Sequence, residues 1–238
     1  MNTEFFKFED KEFDIPFYNG NPEITSKKLI ALIAGLAIAF CSLFIFPIEG
    51  YKFQKAIFFT LVTLIPVWYA MDGNLSEVFK KPKLGDIKII IIGLVGLFAM
   101  AIICNMILTG GTNSPTDNSV NGSASVMVIS LIIQLVGEEL FKFIAIILTM
   151  TFTYKALGRK GAIIAGVIVS QLIFSFAHIP AYGLDIVRLV VYIGIGTIIL
   201  PIIYVKTKNL TLTYIIHLIN DLIGILPVIL GVSQLLLL

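Results

Sequence analysis

A few polar side chains lie inside long apolar stretches of this sequence. A charged group at the centre of a membrane helix costs roughly 2.5–3.5 kcal/mol, so such residues are retained mainly where they serve a function. Both histidines of the chain are in the set, and all members fall in its second half. They are Glu138, Glu139 and Lys142 in LVGEELFKFIAI, His178 in LIFSFAHIP, and His217 and Asp221 in TYIIHLINDLI.

Three pairs of residues in these motifs are four positions apart, which places both members of a pair on one face of a helix. Three helices can therefore each present a polar face to one interior cavity. Two carboxylates and two imidazoles can activate a water molecule or bind a divalent metal ion. The pairs are Glu138 with Lys142, Phe174 with His178, and His217 with Asp221.

Each pair alone also has a structural interpretation. Glu138 and Lys142 could form an ion pair that only holds the helix in place, and a single His is as often a helix–helix hydrogen bond as a site. Asp221 and Asn220 could cap a helix end, and Phe174 is most simply a packing aromatic. The clustering of all six ionisable residues favours a shared functional site.

The composition excludes most soluble classes of protein. The 238 residues are 58% hydrophobic and 13% charged, with a mean hydropathy of +0.98. Soluble domains are roughly half apolar and a quarter charged. A water-soluble enzyme or a nucleic-acid binder is therefore excluded, and the net charge of +2 also argues against a polyanionic partner.

Apolar runs of about 20 residues predict membrane-spanning helices. The period-2 alternation of a membrane barrel is missing, so the predicted fold class is all-α. We expect a polytopic transmembrane helix bundle with seven or eight spans and a four-helix core in the C-terminal half. The spans are 29–46, 56–71, 89–108, 126–150, 162–179, 189–205 and a long run, 210–238, that Gly224 and Pro227 interrupt.

Four regions are predicted along the chain. Residues 1–28 form an N-terminal tail that we expect to be solvated, and residues 29–108 form three helices that act as a scaffold or lateral wall. Residues 109–125, rich in Gly, Ser, Thr and Asn, form a flexible extracytoplasmic linker. Residues 126–238 form the core that holds the polar set.

The lysine and arginine distribution predicts the orientation in a cell membrane. Cytoplasmic loops carry an excess of these residues, and thirteen of them fall inside if the N-terminus is cytoplasmic. Only Lys52, Lys55 and Arg188 then fall outside. The inside set is Lys7, Lys11, Lys27, Lys28, Lys80, Lys81, Lys83, Lys88, Lys155, Arg159, Lys160, Lys206 and Lys208.

The depths predicted for the polar residues in the membrane disagree for one of them, His178. At 1.5 Å per residue, Glu138 lies roughly 12 Å from the cytoplasmic edge and His217 roughly 10 Å. His178 lies roughly 24 Å from that edge, too far outward for direct contact between upright helices. A strong tilt, or a helix that starts below the surface, would close much of the gap.

The motifs resemble those of the CPBP family of CAAX proteases and bacteriocin-processing enzymes, also called Abi. That family carries EExxxR, FxxxH and HxxxN/D in this order on a four-helix intramembrane core. Here the order is Glu138-Glu139, then Phe174 to His178, then His217 to Asp221. The similarity covers residues 125–225.

The resemblance implies an intramembrane endopeptidase in which Glu138 activates a water molecule with help from His178. His217 and Asp221 would stabilise the tetrahedral oxyanion, and Glu139 would hold the helices together or assist Glu138. The family is described both as metal-dependent and as a glutamate-type protease without metal. A divalent metal such as zinc would be held by Glu138, His178 and His217.

Two departures from the family pattern bear on activity. Phe143 replaces the motif Arg, and the cation stands one residue earlier, at Lys142, as in the related PrsW-type proteases. A one-residue shift turns the side chain by about 100°, which predicts that Lys142 pairs with Glu138 rather than Glu139. Asp221 replaces the usual Asn, and an ionised Asp cannot donate a hydrogen bond to an oxyanion.

The sequence therefore predicts a protease of the membrane that cleaves a small membrane-associated peptide or a lipidated C-terminal tail, with the cavity reached from the cytoplasm or laterally. The resemblance implies roles in bacteriocin self-immunity or peptide maturation. Two other classes stay open. One is a non-catalytic immunity or binding protein with a structural polar network, and the other is an ion-coupled transporter, which the lack of an internal repeat disfavours.

Overall fold

The structure is a computed structural model, and it describes residues 5–18, 22–45, 52–108 and 124–229. Helices account for almost all of the regular structure in these ranges, and none of the described residues is in a β-strand. The all-α fold class is therefore confirmed. The predicted linker falls almost entirely on residues 109–123, which lie outside the described residues.

The first three helices are α1 (Ser26–Ile45), α2 (Lys52–Ala70) and α3 (Ile87–Ile107). They agree with the predicted spans to within a few residues, except that α2 begins four residues earlier than expected. Two short 3-10 turns, Leu75–Glu77 and Leu84–Asp86, connect α2 to α3.

The fourth helix, α4, covers Ala124–Phe176 and contains a sharp break at Gly158. Gly158 has φ 63°, a left-handed conformation that side chains with a Cβ rarely adopt, so the chain can reverse here. Residues 124–157 form the first arm of α4 and residues 159–176 form its second arm. The Ser170 hydroxyl donates to the Lys142 carbonyl oxygen at 3.1 Å, which holds the arms together.

The remaining segments complete the C-terminal half. The chain continues through α5 (Ile179–Tyr182), α6 (Ile186–Arg188), a π-helix (Leu189–Ile195), α7 (Ile199–Thr207) and α8 (Leu210–Ile229). Together with the two arms of α4, the 186–207 segment and α8 form the predicted four-helix core. The final part of the predicted run 210–238 lies outside the described residues.

Five helical segments are long and apolar enough to cross a membrane, judged by length and composition alone within the described residues. They are Ser26–Ile45, Lys52–Ala70, Leu84–Ile107, Ile186–Thr207 and Leu210–Pro227. Many large apolar side chains on these helices face outward, such as Ile91, Ile102 and Trp68. This apolar exterior is what contact with lipid requires. The protein is therefore a multi-pass membrane protein.

Two helices approach each other closely at Gly137. A Cβ atom built there would lie 2.7 Å from a ring carbon of Phe59 and 3.0 Å from the Cα atom of Thr60. The Thr60 hydroxyl donates to the Ile133 carbonyl oxygen at 2.7 Å. The small residue therefore lets α2 pack directly on the first arm of α4, and α2 forms a wall of the core.

Residues 5–18, called the strap here, pack against the ends of the core helices. The Glu9 side chain is completely buried and accepts two hydrogen bonds from the Arg159 guanidinium, each 2.7 Å long. Lys208 Nζ lies 2.8 Å from the same carboxylate, and Asp14 binds Arg159 at 2.6 Å. Since Ile15 is also buried, the expectation of a solvated tail is wrong for these residues. Electrostatic attraction between the Glu9 carboxylate and the buried cations of Arg159 and Lys208 holds the strap in place.

Low pH should weaken the binding of the strap to the core helices. Burial raises the pKa of Glu9, but the hydrogen bonds from Arg159 and Lys208 outweigh it, so the pKa lies below the usual 4.5. The unfolded chain then binds protons before the folded one does. The stability that Glu9 contributes is complete above about pH 4.5 and is lost as the pH falls through its lowered pKa.

We expect the melting temperature in detergent to fall as the pH is lowered below about 4.5, and to fall less in Glu9→Gln. Glu23→Gln, at an exposed position, serves as the control and should keep the wild-type slope. Parallel pH profiles for the wild type and Glu9→Gln would contradict the assignment of this slope to Glu9.

Candidate functional site

The hairpin of α4 brings its two polar motifs together. Gly158 lies midway in the sequence between Glu138 and His178, so in two antiparallel arms these residues stand at the same level. The depth conflict predicted for His178 is therefore absent from the structure. The expected span ended at residue 150, whereas the first arm continues to the break at Gly158, and the second arm begins directly after it.

Glu139 connects α4 to α8. Its Oε1 atom lies 2.8 Å from Nδ1 of His217 and 2.5 Å from Nζ of Lys142. All three side chains are almost completely buried. Because a carboxylate only accepts hydrogen bonds, His217 Nδ1 carries a proton, and the ring is held in one orientation. This geometry agrees with the expectation that Glu139 holds the helices together.

Lys142 does not pair with Glu138, and that prediction is wrong. Its ammonium group contacts Glu139, three residues earlier on the helix, and lies 4.7 Å from the centre of the Phe174 ring. The Lys142 side chain is long enough to reach back by three residues as easily as by four. The charge of Glu138 is therefore not neutralised by this lysine.

Glu138 faces the other ring nitrogen of His217. The distance from Glu138 Oε2 to His217 Nε2 is 4.0 Å, which is too long for a hydrogen bond and suits a bridging water molecule. The other oxygen, Oε1, accepts a hydrogen bond of 2.8 Å from the Gln134 amide. The carboxylate is thus held on one side and directed towards His217 on the other.

Asp221 lies on the same side of His217. Its Oδ2 atom is 3.8 Å from His217 Nε2, and its Oδ1 atom accepts a hydrogen bond of 3.1 Å from the Asn220 amide. The Asp221 side chain is 30% exposed, more than those of Glu138, Glu139, Lys142 and His217. Asn220 thus orients Asp221, which adds negative charge beside the imidazole.

His178 approaches the network from the second arm. Its Nδ1 atom lies 2.8 Å from the Phe174 carbonyl oxygen, so this nitrogen carries the proton and Nε2 is an acceptor. Its ring centre is 4.7 Å from that of Phe174, which in turn is 6.4 Å from the ring of His217. Phe174 is therefore the packing aromatic that separates the two imidazoles.

A cavity of about 280 Å³ exposes part of this network. Glu138 and His178 both line it, together with Gln134. The rest of the wall is largely apolar and comes from α1, α2, both arms of α4 and α5: Leu43, Phe59, Met127, Leu131, Phe141, Phe174, Ala177, Pro180 and Ala181. A carboxylate and an imidazole therefore face a space that can hold an apolar peptide segment.

Two residues at this cavity were missed by the sequence analysis. Gln134 stands four residues before Glu138, and this spacing alone would have predicted a contact. Lys55 also lines the cavity. It was placed in a loop because the span was predicted to begin at residue 56, whereas α2 begins at Lys52.

The cavity extends towards the end of the bundle that is remote from the strap. Its lining includes Lys52 at the start of α2 and Met127 near the start of α4, whereas the strap binds Arg159 and Lys208. A cytoplasmic N-terminus and entry from the cytoplasm therefore do not fit together. Lateral entry, the other route predicted, is compatible with this placement.

The predicted metal ligands do not gather into a metal site. Within the ranges that the structure describes, no three His, Cys, Asp or Glu side chains converge as metal ligands do. Glu138 and His217 approach each other, but His178 is separated from His217 by the Phe174 ring. The residues as arranged do not fit the three-ligand set.

Phe143, which occupies the position of the family's arginine, lies in the core. Phe143 is completely buried, and its ring packs edge-on against Tyr204 of α7 at 5.7 Å between centres. The side chain at this position thus contacts α7, whereas Lys142 supplies a positive charge within the polar network.

Residues 120–223 match a family model described as type II CAAX prenyl endopeptidase Rce1-like. This range contains all three motifs, from Glu138 to Asp221, and the match confirms the resemblance inferred from them. No curated protein and no solved structure matches the chain.

Proposed function

We propose that this protein is an intramembrane endopeptidase that uses a water molecule activated by Glu138, a proposal supported by the match of residues 120–223 to the Rce1-like model of type II CAAX prenyl endopeptidases. Its substrates would be membrane-associated or lipidated peptides. The observation that carries the proposal is the 4.0 Å gap between Glu138 Oε2 and His217 Nε2, beside a cavity that the same carboxylate lines.

A water molecule in this gap would donate one hydrogen bond to Glu138 and the other to His217 Nε2. Its lone pair would then be directed at a peptide carbonyl carbon in the cavity. Glu138 takes a proton from the water as the new C–O bond forms, and returns it to the leaving nitrogen as the C–N bond breaks. Glu139 keeps His217 in position during both steps, and Asp221 adds negative charge beside the imidazole.

His178 would act on the other side of the substrate. Its Nδ1 atom is committed to the Phe174 carbonyl oxygen, so only Nε2 can serve the reaction. When this ring is protonated, Nε2 donates a hydrogen bond and stabilises the tetrahedral oxyanion. This exchanges the roles of the two histidines implied by the resemblance, because His217 is the one that approaches Glu138.

A cleavage assay tests the proposal. The purified protein in lipid nanodiscs is offered a panel of apolar peptides, with and without a lipidated cysteine, and products are identified by mass spectrometry. We expect His178→Ala to lower the rate of cleavage by about 10²-fold or more. Thr149→Ala, in which the lost hydroxyl binds only the Ala145 carbonyl oxygen, should retain the wild-type rate. Equal cleavage by His178→Ala and the wild type would refute the catalytic assignment.

Metal dependence can be measured in the same assay. The mechanism above needs no metal ion, and it predicts that exhaustive dialysis against a chelator leaves the rate unchanged. Loss of activity on chelation, with recovery on addition of zinc, would instead support the metal-dependent alternative for Glu138, His178 and His217.

The non-catalytic alternative is favoured by one observation. Glu139, Lys142 and His217 form a closed, buried set of polar contacts that could exist for structural reasons alone. A binding or immunity protein of this kind would cleave none of the peptides. If the protein is a protease, the identity of its substrate would decide whether it acts in bacteriocin self-immunity or in peptide maturation.

A further inference from the structure

A positively charged side chain stands at the mouth of the cavity. Lys55 belongs to the second turn of α2, is half-buried, and lines the same cavity as Glu138. Among the residues that the structure describes, it has neither an ion-pair nor a hydrogen-bond partner. A half-buried ammonium group in an apolar helix is costly, and an anionic ligand would offset that cost.

The packing of α2 on α4 fixes the distance between Lys55 and the site. The two helices run in the same direction, because Lys52 at the start of α2 and Met127 near the start of α4 line the same cavity, whereas Ala70 at the end of α2 packs in one core cluster with residues further along α4, such as Leu148. Thr60 contacts both Ile133 and Gly137, so Lys55, five residues earlier, lies level with residues 128–132, which include Ser130 of the cavity wall. From that level to Glu138 the helix rises about 12 Å.

This distance corresponds to a short stretch of peptide. An extended chain advances about 3.3 Å per residue, so three to four residues bridge Lys55 and the attacked bond. The wall between them is apolar and includes Phe59, Leu131 and Phe141. The cavity therefore offers a cation at one end, a water-activating carboxylate at the other, and room for apolar side chains between.

We propose that Lys55 binds a carboxylate of the substrate three to four residues away from the bond that is cleaved. Lys55 would thus select and position the peptide without taking part in the chemistry. This inference rests on the proposed function and adds a requirement for negative charge at a defined distance. The carboxylate could be a free C-terminus or an acidic side chain, and the experiment separates these sources.

Three fluorescein-labelled apolar peptides of equal length test the proposal. The first has a free C-terminal carboxylate, the second is amidated, and the third is amidated with a glutamate four residues from the cleaved bond. Each is assayed with the wild type, Lys55→Gln, Lys55→Arg and the control Lys27→Gln, which removes an exposed lysine from α1.

We expect Lys55→Gln to raise KM about ten- to a hundredfold for one or both of the carboxylate peptides, with kcat nearly unchanged, since the lost contact is a charge-assisted hydrogen bond. The fully amidated peptide should be unaffected. Lys55→Arg should retain the preference for the carboxylate, and Lys27→Gln should match the wild type. The peptide that shows the effect identifies the source of the charge.

A binding measurement distinguishes failure of this inference from failure of the proposed function. The affinity of each peptide for Glu138→Gln, and for Glu138→Gln combined with Lys55→Gln, is measured by fluorescence anisotropy without any need for cleavage. About tenfold tighter binding of a carboxylate peptide that disappears with Lys55→Gln supports the inference even if no peptide is cleaved. Equal affinity of the acid and amide forms for both proteins, or an acid/amide ratio that Lys55→Gln leaves unchanged, overturns it.

Discussion

Replacing Glu138 with glutamine should lower kcat by a factor of about 10² to 10⁴ while leaving the protein folded. Glutamine has the same shape but cannot take a proton from water. The neighbouring ion pair does not involve this residue, because Lys142 binds Glu139. The melting temperature in detergent should therefore change little, and peptide cleavage is the measurement that should change.

The control for Glu138→Gln is Glu23→Gln, which removes one exposed carboxylate outside the core. It should keep full activity. If Glu138→Gln cleaves peptides as fast as the wild type, Glu138 is not the base. If the wild type cleaves none of the panel that includes lipidated peptides, the non-catalytic alternative is favoured.

The Glu139→Gln substitution should instead lower the free energy of unfolding of the protein. It leaves the Lys142 ammonium buried beside an uncharged amide and removes the acceptor of His217 Nδ1. Breaking a buried pair in this way costs about 3–5 kcal/mol. For a chain of this length, that corresponds to a fall of roughly 6–20 °C in melting temperature, measured by thermal unfolding in detergent.

A second change should restore much of that loss. In Glu139→Gln with Lys142→Met, no buried charge is left without its partner, so the double variant should melt at a higher temperature than Glu139→Gln alone. A double variant that is no more stable than the single one would show that the lost contact with His217, and not the unpaired ammonium, accounts for the effect. The contrast between Glu138 and Glu139 thus separates catalysis from stability in two adjacent residues.

The helices of the core were predictable because their apolar runs are long and their polar residues are few. The positions of Glu138, His178 and His217 on three such segments were enough to predict a shared site. Their approach in space depends on where α4 reverses. That reversal is set by one glycine with a positive φ, Gly158, and not by the average hydropathy of the segment.

Contacts between distant parts of the chain could not be predicted in this way. The polar and aromatic composition of residues 5–18 is compatible with solvent, and only the buried cations Arg159 and Lys208 explain why the strap docks. Lys142 pairs with Glu139 and not with Glu138 because of the side-chain rotamers and because of His217, which binds Glu139 from across the helix interface. A helical wheel contains neither kind of information.

The contacts of Glu9 also set an order of events during synthesis. Its two cationic partners lie in the third and final quarters of the chain, at Arg159 and Lys208. A ribosome that has just released the first helices presents this carboxylate to water with nothing yet to bind. The strap can dock fully only after translation has passed Lys208, so it is made well before its partners and acquires its native contacts late.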